Sequence, residues 1–172
     1  MNLWHLALRL LPLGAVVVLG ACAYSTSPAL LPSHIQTIAI PEFENETNEY
    51  TLEREVTEAV IQRFVSDNHL RVVDERVASS VLRGTITLYR NSVFGITGDT
   101  RANEYRVTIV VSVVYKDLVK NREIWTDENL VRTANYYVQT VPGQPAQTEL
   151  DGRKAAIEKI ADEILSRSVQ GW

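Results

Sequence analysis

Hydrophobic and polar positions alternate from Val81 to Asp117. Leu82, Gly84, Ile86 and Leu88 fall on one side of a period of two. Arg83, Thr85, Thr87, Tyr89 and Asn91 fall on the other. The pattern predicts a strand over Val81 to Ser92, then a loop over Gly95 to Arg101. It resumes over Asn103 to Asp117, where Tyr105, Val107, Ile109, Val111, Val113 and Tyr115 share one face. Glu104, Arg106, Thr108, Ser112 and Lys116 share the other, with Val110 and Val114 among them. Such alternation belongs to an antiparallel sheet with one wetter face. Leu118 to Asn121 reads as a turn, and Glu123 to Val138 as the returning strand. Its period slips at Asp127-Glu128-Asn129, which predicts a bulge.

Elsewhere the period changes. Leu52, Val56, Ala59, Val60 and Phe64 recur at helical spacing and predict a helix from Leu52 to about Ser66. Asn48 or Thr51 can cap it through a side-chain oxygen, and Glu53, Glu55 and Glu58 suit the positive end of its dipole. A second helix is predicted over Glu149 to Ser168, with Leu150, Ile157, Ile160, Ala161, Ile164 and Leu165 as its apolar side. Thr148 and Asp151 resemble a capping box, while Gly152 weakens the first turn. Ile35 to Phe43 reads as an opening strand interrupted by Pro41, which cannot donate to a ladder. Glu44 to Asn48 reads as a turn, Leu70 to Val73 as a short strand, Glu75 to Ser80 as a connector and Thr140 to Gln147 as a loop. The order predicts an α+β two-layer sandwich, with two helices on one face of a mostly antiparallel sheet of about four strands. The other sheet face, carrying Arg83, Thr85, Thr87, Tyr89, Arg106, Thr108, Val110, Ser112 and Val114, is then uncovered. It is a candidate contact surface.

The N-terminus follows neither period. Arg9 precedes an apolar run that ends in Leu19-Gly20-Ala21-Cys22, and Cys22 is the only cysteine. A positive flank, an apolar core and small residues before a cut are the parts of a secretory signal. The run, broken by Pro12 and Gly14, falls short of the roughly 20 residues a spanning helix needs. The triplet before Cys22 resembles a bacterial lipobox. That resemblance implies cleavage of residues 1–21 and acylation of Cys22 by chains such as palmitate. One acyl chain binds a membrane marginally, whereas several anchor stably. Ala23, where Asp would mark inner-membrane retention, favours the periplasmic face of the outer membrane. Residues 22–33 read as a tether and 34–172 as a single domain.

Of the 172 residues, 17 are basic and 21 acidic; cleavage before Cys22 leaves 151 residues and, without Arg9, a net charge of −5. An acidic chain argues against nucleic-acid binding. An acylated Cys22 leaves no thiol for a disulfide, so the core alone holds the fold. Seven carboxylates between Glu42 and Glu58 face one Arg54, and a divalent-cation site is conceivable there. Because they point to different helix faces, we read them as a solvated acidic surface. Asn45-Glu46-Thr47 matches a glycosylation sequon without consequence in a bacterial lipoprotein. His5, His34 and His69 stand apart, and no Cys/His metal spacing, nucleophile elbow, phosphate loop or dinucleotide fingerprint occurs. Neither catalysis nor a cofactor is expected.

Taken in order, these residues resemble a known family. Cys22-Ala23-Tyr24 is followed by Leu31-Pro32-Ser33-His34-Ile35 and Ile38-Ala39-Ile40-Pro41-Glu42-Phe43-Glu44-Asn45-Glu46-Thr47. Leu52-Glu53, Leu82-Arg83-Gly84-Thr85-Ile86, Glu104-Tyr105-Arg106-Val107 and Glu123-Ile124-Trp125 come after. The series is similar to the LptE family of lipopolysaccharide-assembly lipoproteins over nearly the whole mature chain. The resemblance implies a non-enzymatic partner of the outer-membrane β-barrel LptD, a plug and assembly factor that helps pass lipopolysaccharide to the outer leaflet. It also implies lipopolysaccharide contact through basic residues near strand ends, here Arg90, Arg101 and Arg106. The loop Thr140 to Gln147 carries no Lys or Arg and adds nothing basic. The opening segment also resembles lipoproteins that activate a peptidoglycan synthase or form part of a secretion channel, which is the alternative reading. A periplasmic enzyme, a third class, requires a concave pocket with converging titratable groups.

Overall fold

The computed structural model describes residues 31–96, 102–140 and 145–169. The signal segment, Cys22, most of the tether and Arg101 lie outside the described residues. Leu31, assigned to the tether from sequence, packs against the core.

The elements run β1 (Thr37–Ala39), β2 (Glu44–Asn45), α1 (Leu52–Asp67), β3 (Arg71–Val72), a 3₁₀ turn (Glu75–Val77), β4 (Ser80–Ile96), β5 (Ala102–Asp117), β6 (Arg122–Tyr137) and α2 (Glu149–Val169). The expected α+β sandwich is present, but the sheet is mixed and has six strands, in the order β3-β1-β4-β5-β6 with β2 also on β4. β1 lies parallel to both β3 and β4, and β2 parallel to β4. Parallel neighbours need a crossover, and α1 provides the one between β1 and β3. The expected opening strand is thus split. Pro41 has no N–H, and pairing resumes only at Glu44, against Thr85. The three long strands form the antiparallel half.

Both helices cover one sheet face. They run parallel, since Arg153 of α2 meets Glu55 near the start of α1 at 3.5 Å and Asp162 meets Arg63 near its end. Leu52, Val56, Val60 and Phe64 bury the expected α1 stripe, and Ile157, Ile160, Ala161 and Ile164 the α2 stripe. Leu150 departs from expectation and is 61% exposed. Gly152, two residues on and roughly 200° around the helix, is the one that faces the sheet. A Cβ there would stand 2.6 Å from the Tyr136 ring, so glycine permits the close approach of α2 to β6. Gly84 does the same for Phe43, whose ring lies 2.2 Å from where a Cβ would sit.

The capping expectation holds for α2. The Thr148 N–H donates to Asp151 Oδ2 at 2.7 Å, and Thr148 Oγ1 accepts from the Asp151 N–H at 3.4 Å. Bonds from the Thr148 backbone and hydroxyl hold the Asp151 carboxyl below the usual carboxylate range. At α1 the expectation fails. Thr51 occupies the N-cap with φ 68° and makes no side-chain cap bond. Its hydroxyl donates instead to Glu55 Oε1 at 3.0 Å.

Candidate functional site

The helix-free sheet face is built by β4, β5 and β6. Its membership differs from strict alternation because the β4–β5 register shifts between Ile86 and Leu88. The extra residue is Thr87, and beyond it each side chain changes sides. Leu88 pairs with Val110 on the open face. Tyr89, expected there, instead packs against the core from the helix side and donates its hydroxyl to Glu149 Oε1 at 2.6 Å. Asn91 likewise turns to the helix side, where its amide nitrogen donates to the Tyr136 hydroxyl at 2.9 Å. Burial, aided by the Glu149 bond, pushes the Tyr89 hydroxyl well above its ordinary value.

The same bulge places Arg90 on the open face. Arg90 pairs with Thr108, and Ser92 with Arg106, so the two arginines are diagonal neighbours, about 7–8 Å apart and within reach of each other's long side chains. Arg106 donates through Nε to Asn135 Oδ1 at 2.8 Å, and its guanidinium carbon stands 3.4 Å from the Phe94 ring centroid. Asn135 in turn donates to Glu104 Oε1 at 2.7 Å, which also accepts from the Tyr137 hydroxyl at 3.1 Å. That carboxylate bond raises the Tyr137 pKa. Arg90 is exposed and, among the described residues, has no hydrogen-bond or ion-pair partner. Two of the three expected basic residues are therefore together. Phe94, which alternation did not single out, lies under one of them. Nearer the other end of the face, Arg83 is paired with Glu75. Between these charges run Leu88, Val110, Val114 and Val131, the last two 36% and 39% exposed.

The hairpin outruns the helices. β4 has 17 residues, about 55 Å at strand rise, against about 30 Å for the 21 residues of α2. α2 meets β4 through Glu149 and Tyr89, and meets β6 through Gly152 and Tyr136, which stands in the same cross-strand row as Tyr105 and Val93. Val93, a few residues past Tyr89, is 54% exposed.

The other end of the sheet is tied to the start of the domain. His34 Nε2 lies 2.8 Å from the fully covered Asp117 Oδ2, and Asp117 Oδ1 accepts from the Val119 and Lys120 N–H groups at 3.0 Å. Burial pushes this carboxyl up, but the Lys120 N–H, the His34 ring and the Val119 N–H outweigh it and hold the pKa below the ordinary value. The Arg90–Arg106 end is thus the one farthest from residue 34, eleven β5 residues away.

Among the described residues no group of three or more His, Cys, Asp or Glu could hold a metal ion, and no helix is long and apolar enough to cross a membrane. An open groove between the helices, of about 520 Å³, is lined by Ala59, Gln62, Arg63, Ser66, Glu158, Ala161 and Asp162. Arg63 and Asp162 pair with each other there, and Glu158 is the remaining ionisable group of its lining.

Comparison with known proteins agrees with this architecture. The family model described as LptE, lipopolysaccharide-assembly, matches residues 35–168. No curated protein matches the chain. Among solved structures, a protein of Xanthomonas campestris is similar with a TM-score of 0.56 at 10% identity, covering 83% of this chain and 88% of its own. A hypothetical protein of Chlamydia trachomatis is similar with a TM-score of 0.52 at 13% identity, covering 77% and 95%. Rare lipoprotein B of Shewanella oneidensis aligns with a TM-score of 0.47 at 19% identity, covering 76% and 92%. At these identities the likeness to the Xanthomonas and Chlamydia proteins concerns the fold alone.

Proposed function

The chain belongs to the LptE family of lipopolysaccharide-assembly proteins, and from that premise we propose that it is a non-enzymatic lipoprotein at the periplasmic face of the outer membrane. Acyl chains on Cys22 anchor it. It seats in the lumen of an LptD-type barrel as plug and assembly factor, and Arg90, Arg101 and Arg106 contact lipopolysaccharide. The observation that carries this reading is the family match over 35–168.

The open sheet face supports it physically. Large outer-membrane barrels have polar interiors, and this face mixes Leu88, Val110 and Val131 with Thr108, Thr133 and Asn135 rather than presenting a greasy surface. Phosphate recognition needs donors that are charged and not already committed. Arg90 meets that condition, and among the described residues the Arg106 terminal nitrogens do as well.

Depletion of the protein in its own cell is the direct test. Surface lipopolysaccharide falls and the barrel partner fails to mature; normal levels of both defeat the proposal. More narrowly, Arg101→Glu combined with Arg106→Glu weakens lipopolysaccharide binding at least severalfold with the melting temperature little changed. Equal binding by the double variant means the site lies elsewhere.

A further inference from the structure

We propose that the pole of the domain where residues 32–37 enter is a surface that rests on an anionic phospholipid bilayer, with Val77 and Val119 against the lipid and Arg71, Lys120 and Arg122 around them. The inference rests on reading Cys22 as the acylated anchor. It concerns the free lipoprotein, before any barrel encloses it, and uses neither the open sheet face nor the far end of the hairpin.

Three segments far apart in sequence meet at this pole. Ser79 Oγ accepts from the Gln36 and Thr37 N–H groups at 3.1 and 3.0 Å. The Leu118 N–H donates to the Ser79 carbonyl at 3.0 Å, and His34 reaches Asp117. The entry of the chain, the 3₁₀ turn and the β5–β6 turn therefore share one surface. Val77 closes the 3₁₀ turn and is 72% exposed; Val119 sits in the β5–β6 turn and is 63% exposed. A single apolar side chain in water needs no explanation. Turns favour Gly, Asn, Asp and Ser for backbone reasons, yet here two neighbouring turns each show valine to solvent.

The charges beside these valines are unevenly committed. Arg71 and Lys120 are exposed and, among the described residues, have no hydrogen-bond or ion-pair partner for their side chains. Arg122 is 3.7 Å from Asp117, at the long end of an ion pair. Of the acids on these segments, Asp74 is paired with Arg76, Glu75 with Arg83, and Asp117 is fully covered. Glu123 alone is exposed and, among the described residues, unpaired. The uncommitted charge at this pole is thus positive, although the chain as a whole is acidic.

The anchor selects the occupant. Leu31 follows Cys22 by nine residues, which span about 30 Å at full extension. Acyl chains on Cys22 hold this pole, and not the opposite end of the hairpin, next to the headgroups. A tethered surface meets its ligand at high effective concentration, so a small patch suffices. Shallow apolar burial and attraction to anionic lipid reinforce each other at such a boundary. Resting this way, the domain points its β4–β5 hairpin away from the bilayer.

The experiment uses the mature chain purified from membranes and reconstituted into vesicles of phosphatidylethanolamine and phosphatidylglycerol. An environment-sensitive dye is placed through an azide-bearing amino acid at Glu123, and in a second preparation at Lys154, an exposed position on α2. The neutral quencher acrylamide quenches the dye at 123 severalfold less than the dye at 154. Val77→Ser combined with Val119→Ser brings the two into line, and Lys120→Glu halves the difference. Both variants keep the melting temperature, since these side chains are exposed. Phosphatidylcholine vesicles give a difference at least twofold smaller. Equal quenching at 123 and 154, protection that survives the double serine variant, or equal protection on phosphatidylcholine each overturns the inference. Mass spectrometry and vesicle flotation read the anchor separately. An acylated, vesicle-bound chain with equal quenching sinks this inference alone, whereas a chain that carries no acyl group and stays in solution sinks the anchor reading and this inference with it.

Discussion

Replacing Gly84 by Ala tests how the first half of the fold closes. In most strands that change is favourable, because glycine costs roughly 0.5–1 kcal/mol relative to alanine. Here the new Cβ would stand 2.2, 2.4 and 2.7 Å from three carbons of the Phe43 ring. The ring is not free to withdraw. Phe43 is 2% exposed, and its N–H donates to the buried Thr57 Oγ1 at 2.9 Å. Thr57 in turn donates to the Glu53 carbonyl at 2.6 Å, so moving Phe43 disturbs α1. Overpacking of a closed core costs about 1–3 kcal/mol. Set against the gain in strand preference, a net loss of about 1–2 kcal/mol remains, or a melting temperature lower by about 2–8 °C for a chain of this size. Urea denaturation of Gly84→Ala, Phe43→Leu and the double variant separates the terms. Phe43→Leu alone opens space and loses stability. In the double variant the space receives the new methyl, so the two losses fall short of additive by at least about 0.5 kcal/mol, as expected for residues in contact. A neutral or stabilised Gly84→Ala, or strict additivity, refutes this account of the Phe43–Gly84 contact.

Further predictions concern the two ends of the domain and its edge. Asp117 has a folded pKa below its unfolded value of about 3.9, so its contribution is present above that pH and is lost as pH falls through the lower, folded value. Asp117→Asn is therefore less stable than the parent at pH 7, and the gap between them narrows below about pH 4; a constant gap across the titration contradicts the bonding described. Thr51, β-branched with φ 68°, carries strain of roughly 1–2 kcal/mol, and Thr51→Gly raises the melting temperature by about 1–4 °C, which calorimetry reads directly. β6 is a long edge strand. Its outward groups are blunted where Lys159 Nζ donates to the Thr133 carbonyl at 2.8 Å and Gln147 brackets Tyr137. Lys159→Ala exposes an unpaired edge that templates strand addition, seen as self-association by light scattering with the helical content unchanged.

Much of this architecture follows from residue periods, because long strands and helices repeat their pattern often enough to be read. The runs at Leu82–Ile86 and Val107–Tyr115, the α1 stripe and, Leu150 apart, most of the α2 stripe bury as expected. The slip at Asp127–Asn129 is a bulge between Val111 and Val113 on the partner strand. What escaped was β2, a two-residue strand read from its composition as part of a turn, which exists only because β4 pairs with it; β3, equally short, falls inside the strand expected at Leu70 to Val73. Gly152 looked like a flaw in a helix and is a point of close packing instead, a property of Tyr136 as much as of glycine.

Thr87 joins the two levels. Continued from Arg83, strict alternation sends Arg90 to the same side as Leu82 and Ile86, into the core. A guanidinium there would be buried without a partner, at a cost of several kcal/mol. One extra residue reverses the assignment. It delivers Tyr89 to Glu149 and α2, where its hydroxyl is satisfied, and sends Arg90 to the open face beside Arg106. Composition gives no hint of the bulge at Thr87, yet the burial requirements of Tyr89 and Arg90 both demand it. The tyrosine needs a partner on the helix side and the arginine needs solvent or an anion, and only a register shift between Ile86 and Leu88 meets both at once. The basic end of the hairpin therefore depends on a local irregularity in β4, and the same irregularity seats the strand against the helix layer.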